Sequence, residues 1–214
     1  MNFSVVRGAD TIWGEAFAAE LARQRRHLIL IGENPEKLDT ISLNIRNKYN
    51  VNVHHICSDD SSTENILKTC EAINTHFQVD MMINYTETGF AGKFEDYTIY
   101  GLERKLKTNH LSGILYAHQL LPNLMLHANA CVVGLQCSAS PLSRWQQALA
   151  LFHIHFSEHL TEELKDSGLR FKNFSVVAPS GPDDQDYPLT GQVAGIVREL
   201  LHTISRAPAD CNAI

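Results

Sequence analysis

Basic residues are scarce in this chain: 18 Lys and Arg stand against 24 Asp and Glu over 214 residues, a formal charge of −6. With no basic surplus and no basic stripe, binding that depends on neutralising a phosphate backbone is disfavoured, and no nucleic-acid partner is expected. Long apolar runs are missing as well. None approaches the roughly 18–20 residues that a membrane-spanning helix needs, so no membrane association is expected. The opening Met1-Asn2-Phe3-Ser4-Val5-Val6-Arg7-Gly8 has neither the basic flank nor the apolar stretch of a secretory signal. The five cysteines are an odd number in no zinc-like spacing. They read as free thiols in a reducing cytoplasm, the expected location. In that setting the sequons at Asn2, Asn84 and Asn173 carry no glycosylation argument. No Pro/Gly-rich linker, composition shift or repeat divides the chain, so residues 1–214 read as one domain with a loose tail from about residue 206.

A hydrophobic content of 44% is enough for a folded core. Short runs rich in Val and Ile at residues 3–6, 27–31, 51–56, 79–83, 131–135 and 174–177 are strand candidates. Several are nearly continuous in hydrophobicity, as strands covered on both faces must be. Between them lie amphipathic stretches at 13–24, 36–49, 62–76, 97–120, 143–166 and 190–205. This alternation predicts an α/β fold: a doubly wound parallel sheet of six or seven strands with helices on both faces. Two loops follow strands at the edge where such sheets bind ligands: 86–94, with Gly89 and Gly92, and 178–188, with Asp183, Asp184 and Asp186. The acidic cluster reads as a solvated loop.

A collinear series of short motifs carries more. Gly8-Ala9-Asp10-Thr11-Ile12-Trp13-Gly14 lies between the first strand and helix, Asn34-Pro35 follows the second strand, and Asp59 the third. Asn84 ends the fourth strand, Thr108-Asn109-His110 and Leu121-Pro122 come next, and Phe156-Ser157-Glu158-His159-Leu160 precedes Gly168 and Val176-Val177-Ala178-Pro179. In this order and spacing the chain resembles the short-chain dehydrogenase/reductase family over roughly residues 3–204, nearest the branch acting on steroid or long-chain acyl ketones. The resemblance implies a Rossmann-like fold with strand order 3-2-1-4-5-6, a nicotinamide dinucleotide, and a Tyr/Lys/Ser/Asn catalytic set.

Within the resemblance, Gly8 and Gly14 match the first and last glycines of the nucleotide turn, while Ile12 holds the middle position and Trp13 stands beside it. Arg7 replaces a small hydroxyl residue; contact with a phosphate and exposure to solvent are equally open. Gly32 stands at the position of the ribose-binding acid, with Glu33 next. Glu33 accepts from ribose hydroxyls or repels a 2′-phosphate, so NAD is favoured over NADP. It also reads as an exposed residue at a helix entrance. Asp59 matches the acid that caps adenine, or caps the next helix. Of the family's Asn-Asn-Ala-Gly only Asn84 remains, followed by Tyr85, Thr86 and Glu87. Cys137, Gln146 and Ala150 fall where the resemblance places Ser, Tyr and Lys, and no tyrosine occurs between Tyr116 and Tyr187. Asn109 alone matches its catalytic position, or is a polar residue bonding helix backbone.

His153, His155 and His159 share one predicted helix, but no third ligand pattern accompanies them, so no metal is expected and they read as solvated or interface histidines. Cys137 reads as a structural thiol rather than a nucleophile, and Glu87 as a base only if desolvated. The family pairs through the helices at 97–120 and 143–166. The apolar span of Trp145, Leu149, Leu151, Phe152 and Phe156 predicts a homodimer or homotetramer. Three functions follow: a catalytically degenerate family member that binds a small-molecule ligand or a partner, an active NAD(P)-dependent oxidoreductase on a carbonyl or hydroxyl substrate, and a hydrolase or transferase re-using the cleft through Cys137 or Glu87.

Overall fold

Phe3, Val5 and Val6 are buried within a few residues of the amino terminus, because the first strand runs through the middle of the sheet. The computed structural model describes residues 1–87, 93–138, 142–177 and 189–206. Strands β1 (Asn2–Arg7), β2 (His27–Gly32), β3 (Val53–Cys57), β4 (Gln78–Glu87), β5 (Cys131–Ser138) and β6 (Arg170–Val177) pair in parallel in the order β3-β2-β1-β4-β5-β6. This is the doubly wound order expected from the alternation, with six strands among the described residues. The loop at 178–188, Gly89, Gly92 and the tail beyond 206 lie outside them.

Helices α1 (Ile12–Arg23), α2 (Pro35–Tyr49) and α7 (Leu189–Arg206) cover one face. Phe17 and Leu21 of α1, Leu38 and Ile41 of α2, and Val193 and Val197 of α7 bury against Leu28, Leu30 and Val133 there. Helices α3 (Thr63–His76), α5 (Ser112–Leu124) and α6 (Arg144–Glu163) take the other face. Ile66, Ile73, Tyr116 and Leu120 pack on Val5, Ile29 and Met82, with Leu160 of α6 at the edge of the cluster. Capping explains the helix starts: Thr11, Asn34 and Ser62 each accept the backbone N–H three residues on, at 3.0, 3.0 and 3.3 Å.

Two elements differ from the sequence expectation. Strand β6 begins at Arg170, four residues before Phe174, although Arg170, Lys172 and Asn173 break the apolar pattern. Among the described residues it is an edge strand bonded to β5 alone, and its backbone pairing extends past its apolar part. The expected continuous helix over 97–120 is instead α4 (Ile99–Leu106), a π-helical turn at Lys107–Leu111, and α5. Its cause is an arginine from β1, described below.

Helix α1 sits so low on the first turn that a Cβ on Gly14 would stand 2.0 Å from the Gly8 carbonyl oxygen. Gly14→Ala is therefore expected to lower stability by about 1–3 kcal/mol, despite the better helix propensity of alanine, read as a lower urea midpoint.

Candidate functional site

In a doubly wound sheet the ligand crevice opens outside the carboxyl ends of the strands where strand order reverses, here between β1 and β4. Arg7 ends β1 at that point, 4% exposed. Its Nε donates to Asp60 Oδ2 at 2.6 Å, and one terminal nitrogen donates to Asn84 Oδ1 at 2.9 Å and the Tyr85 carbonyl at 2.8 Å. The other donates to the Thr108 carbonyl and Ser112 Oγ. All five guanidinium donors are thus engaged inside the protein. Arg7 neither meets a phosphate nor faces solvent, the two roles the sequence left open.

The π-turn follows from these bonds. The Ser112 amide donates to Lys107 O, one residue further back than in an α-helix. That releases the Thr108 carbonyl, which accepts from Arg7 and, at 2.6 Å, from the Ser112 hydroxyl. Asn109, at the centre of the turn, donates from Nδ2 to the Glu87 carbonyl at 2.8 Å, tying the turn to the end of β4 rather than bonding helix backbone.

Asp60 completes the network. Its other oxygen accepts from the Tyr116 hydroxyl at 3.0 Å, and that hydroxyl lies 3.0 Å from Ser58 Oγ. Burial, and then the Asp60 charge, push the Tyr116 phenol well above its usual range. Asp60 is therefore the buried acid after β3. Asp59 is exposed, with Oδ1 accepting from the Ser61 amide at 2.9 Å and hydroxyl at 2.7 Å, bonds that hold its carboxyl below the usual range. The cap of α3 is Ser62, not Asp59.

On the nucleotide side, Gly8 takes the left-handed φ of 73° and lies under the Tyr85 ring. Ile12 is the first residue of α1 and 42% exposed, whereas Trp13 turns into the core and does not crowd the crevice. Asp10 Oδ2 accepts from the amides of both Glu33 and Asn34 at 2.9 Å. The Glu33 side chain is exposed, and its carboxyl is pushed up by desolvation and then by the charges of Asp60, Asp59 and Asp10. Asn84 Oδ1 accepts from Arg7.

The positions assigned to the catalytic set serve structure. Cys137 is buried on β5 in register with Glu87, and the Glu87 side chain is exposed rather than desolvated. Gln146 is buried, and its Oε1 accepts from the Ser143 amide at 2.8 Å, capping α6. The Ala150 carbonyl accepts from Gln136 Nε2 at 3.3 Å. Between α6 and the sheet lies a cavity of about 30 Å³ lined by Thr86, Gln136 and His153, room for a water but not a substrate.

The sequence pattern places His153 in solvent or at an interface. Instead it is buried beside His110, Nε2 to Nδ1 at 2.7 Å, with rings stacked 4.9 Å apart. Burial first, with Arg7 adding to it, lowers both imidazoles to about 4; His153 also lowers His110. His155 and His159 are exposed, and His155 contacts Glu158 at 3.2 Å. No group of three metal-ligating side chains occurs among the described residues. Trp145 is half-buried against Phe94 and Tyr97 of its own chain, at ring distances of 5.4 and 6.0 Å. Phe152 is 48% exposed and lines an apolar groove of about 270 Å³ with Leu106, Leu111 and Ile114. No described helix is long and apolar enough to cross a membrane.

The sequence reading missed Asp60, Tyr116, Asp10 and His110. An arginine closing a β-strand that must run through the core, followed within the chain by adjacent Asp59 and Asp60, was the available signal for a buried ion pair.

This geometry and order define a Rossmann-like protein, and the chain matches the short chain dehydrogenase family model over residues 2–175. It belongs to that family. It is 24% identical over 177 residues to the very-long-chain 3-oxoacyl-CoA reductase of Anas platyrhynchos, covering 78% of this chain and 56% of the relative. It is 27% identical over 176 residues to the inactive hydroxysteroid dehydrogenase-like protein 1 of Homo sapiens, covering 78% and 53%. The chain thus spans little more than half the length of these relatives. Among solved structures, a short-chain dehydrogenase from Sphingobium yanoikuyae in complex with NADPH superposes with a TM-score of 0.83 at 18% identity, over 96% of this chain and 85% of that one. L-Sorbose reductase from Gluconobacter frateurii, complexed with NADPH and L-sorbose, gives 0.83 at 15% identity over 99% and 92%. Both share the fold.

Removing one member of a buried, hydrogen-bonded ion pair typically costs about 3–5 kcal/mol, because the partner charge is stranded. Arg7→Met is expected to lose that much in urea unfolding, and Arg7→Lys most of it, since an ammonium has three donors where five are used.

The histidine pair predicts a pH dependence. Both groups have a pKa of about 4 in the fold against 6.5 for an unperturbed imidazole, so the unfolded chain binds more protons between these values. Their contribution is complete above pH 6.5 and is lost as pH falls toward 4. Urea unfolding from pH 7 to 4 should show the decline, and exchanging both histidines for Gln should flatten it.

Proposed function

We propose that this chain is a catalytically degenerate short-chain dehydrogenase that keeps the fold to bind a small-molecule ligand or a partner. The observation that carries this reading is helix α6. Where the resemblance calls for a phenol to protonate the alkoxide and a lysine to lower its pKa, Gln146 caps the helix and Ala150 offers a methyl group. Neither donates a proton to a developing oxyanion, and the helix Arg144–Glu163 contains no lysine. Cys137 and Asn109 are likewise held in structural contacts. The likeness to a relative named as inactive supports the same reading.

An active NAD(P)-dependent oxidoreductase is the second reading, favoured by the likeness to a relative named as a reductase. Of the two dinucleotides, NAD suits the turn after β2 better, because Glu33 and Asp10 meet a 2′-phosphate with like charge. A hydrolase or transferase through Cys137 or Glu87 finds less support, since the thiol is buried and the carboxylate exposed.

The partner includes a second copy of this chain. Phe152 and Leu111 are about half-exposed and line the apolar groove between α4 and α6, a surface that a copy related by a two-fold axis would cover. Sedimentation at tens of micromolar is expected to give a dimer or tetramer, and Phe152→Asp a monomer.

Loss of a positioned general acid costs about 10²–10⁴ in rate. Purified protein with NADH or NADPH and a panel of ketones and aldehydes is expected to show no steady absorbance change at 340 nm above about that reduced level. Steady turnover by the unmodified chain overturns the reading.

A further inference from the structure

A dinucleotide lying across the end of β1 needs an open glycine turn under its pyrophosphate, free backbone N–H groups facing its phosphates, and a hydrogen-bonding partner for its ribose on the turn after β2. In this chain the first and the third are occupied from within, and a branched side chain stands beside the second.

The floor is covered by Tyr85. A Cβ on Gly8 would stand 3.0 Å from Tyr85 Cδ1 and 3.2 Å from its Cβ, so the ring rests on the turn that would otherwise be bare. Beside it, Ile12 is 42% exposed at the position of the middle glycine, its branched side chain standing where a phosphate must approach backbone closely. On the ribose side the Asp10 carboxylate has taken the amides of Glu33 and Asn34, both at 2.9 Å. That seat is shaped for it. A Cβ at Gly32 would fall 2.5 Å from Asp10 Oδ1, so the lack of a side chain at Gly32 admits the carboxylate.

Charge acts in the same direction. Asp10, Glu33, Asp59 and Asp60 converge on this corner, and the Glu33 carboxyl is pushed up by its desolvation and by the other three. Arg104 offsets them in part. Arg7 supplies no cation to a ligand, because its five donors all point into the protein. The residues present therefore do not fit a dinucleotide.

We propose that the crevice at the end of β1 is closed to phosphorylated nucleotides by the chain's own side chains, with the Asp10 carboxylate acting as an internal stand-in for the ligand's anion and Tyr85 as its cover. This deepens the reading of a degenerate family member by naming what holds the cofactor out. It also ranks the ligands: NADP⁺, whose extra phosphate meets Asp10 and Glu33, is excluded more strongly than NAD⁺.

The experiment is calorimetric titration of the full chain with NADP⁺, NAD⁺ and inorganic pyrophosphate, for the unmodified protein, Asp10→Ser, and Asp10→Ser combined with Tyr85→Ala. The unmodified protein is expected to show no saturation below about millimolar ligand. Asp10→Ser is expected to tighten NADP⁺ at least tenfold, by more than it tightens NAD⁺, and the double variant to tighten both further. Where Asp10→Ser does not fold, Asp10→Asn keeps the shape without the charge and carries the same expected gain. Micromolar dinucleotide binding by the unmodified chain overturns the proposal. So does a folded double variant, judged by circular dichroism and cooperative unfolding, that gains nothing. Tight binding without carbonyl turnover sinks this inference alone and leaves the loss of catalysis standing; turnover sinks the loss of catalysis.

Discussion

The buried guanidinium of Arg7 is the constraint around which the carboxyl end of this sheet is arranged. It draws together β1, the loop after β3, the end of β4, the π-turn and α5, segments far apart in the chain. A charge taken from water into that setting is tolerated only when its donors are all used and a counter-charge lies close. Asp60 at 2.6 Å supplies the charge, and four neutral oxygens supply the rest. The π-turn is the helix's part in this arrangement: one extra residue in the turn frees the Thr108 carbonyl that the arginine requires.

That arrangement has a consequence for chemistry. The switch point of a doubly wound sheet is a natural ligand crevice because strand ends diverge there and leave backbone groups facing outward. In this chain the divergence between β1 and β4 is bridged by an internal cation, and the neighbouring turn is bridged by an internal anion, Asp10. The polar groups at this corner are thus satisfied within the protein. Helix α6 shows the same tendency, with Gln146 turned back to cap its own helix and His153 turned inward to His110. The family's architecture persists because it rests on apolar contacts on both sheet faces, which are independent of the residues that line the crevice.

Much of this was legible in the amino-acid order. Val- and Ile-rich runs alternating with amphipathic stretches specify a parallel sheet covered on both faces, since only that arrangement buries such strands completely. Collinear motifs from Gly8 to Pro179 specify the family. The identities of Ile12, Gln146 and Ala150 are equally plain, because each is a property of one position. Boundaries were less legible where pairing overrode pattern: β6 extends back through Arg170 and Lys172 because β5 offers backbone partners there.

What tertiary structure decided was the partnership of residues distant in sequence. Arg7 and Asp60 are 53 positions apart, and His110 and His153 are 43 apart. No local periodicity or spacing reports on such a pair, because a side chain's role depends on which loops the sheet order brings to its end. Neighbouring Asp59 and Asp60 make the point: one faces solvent and one is buried against Arg7, a difference set by the direction of a single turn. The sequence alone determined the fold and the residues available to its crevice. The three-dimensional arrangement determined that those residues satisfy one another, because burying a charged or polar group is favourable only when a partner is already in place.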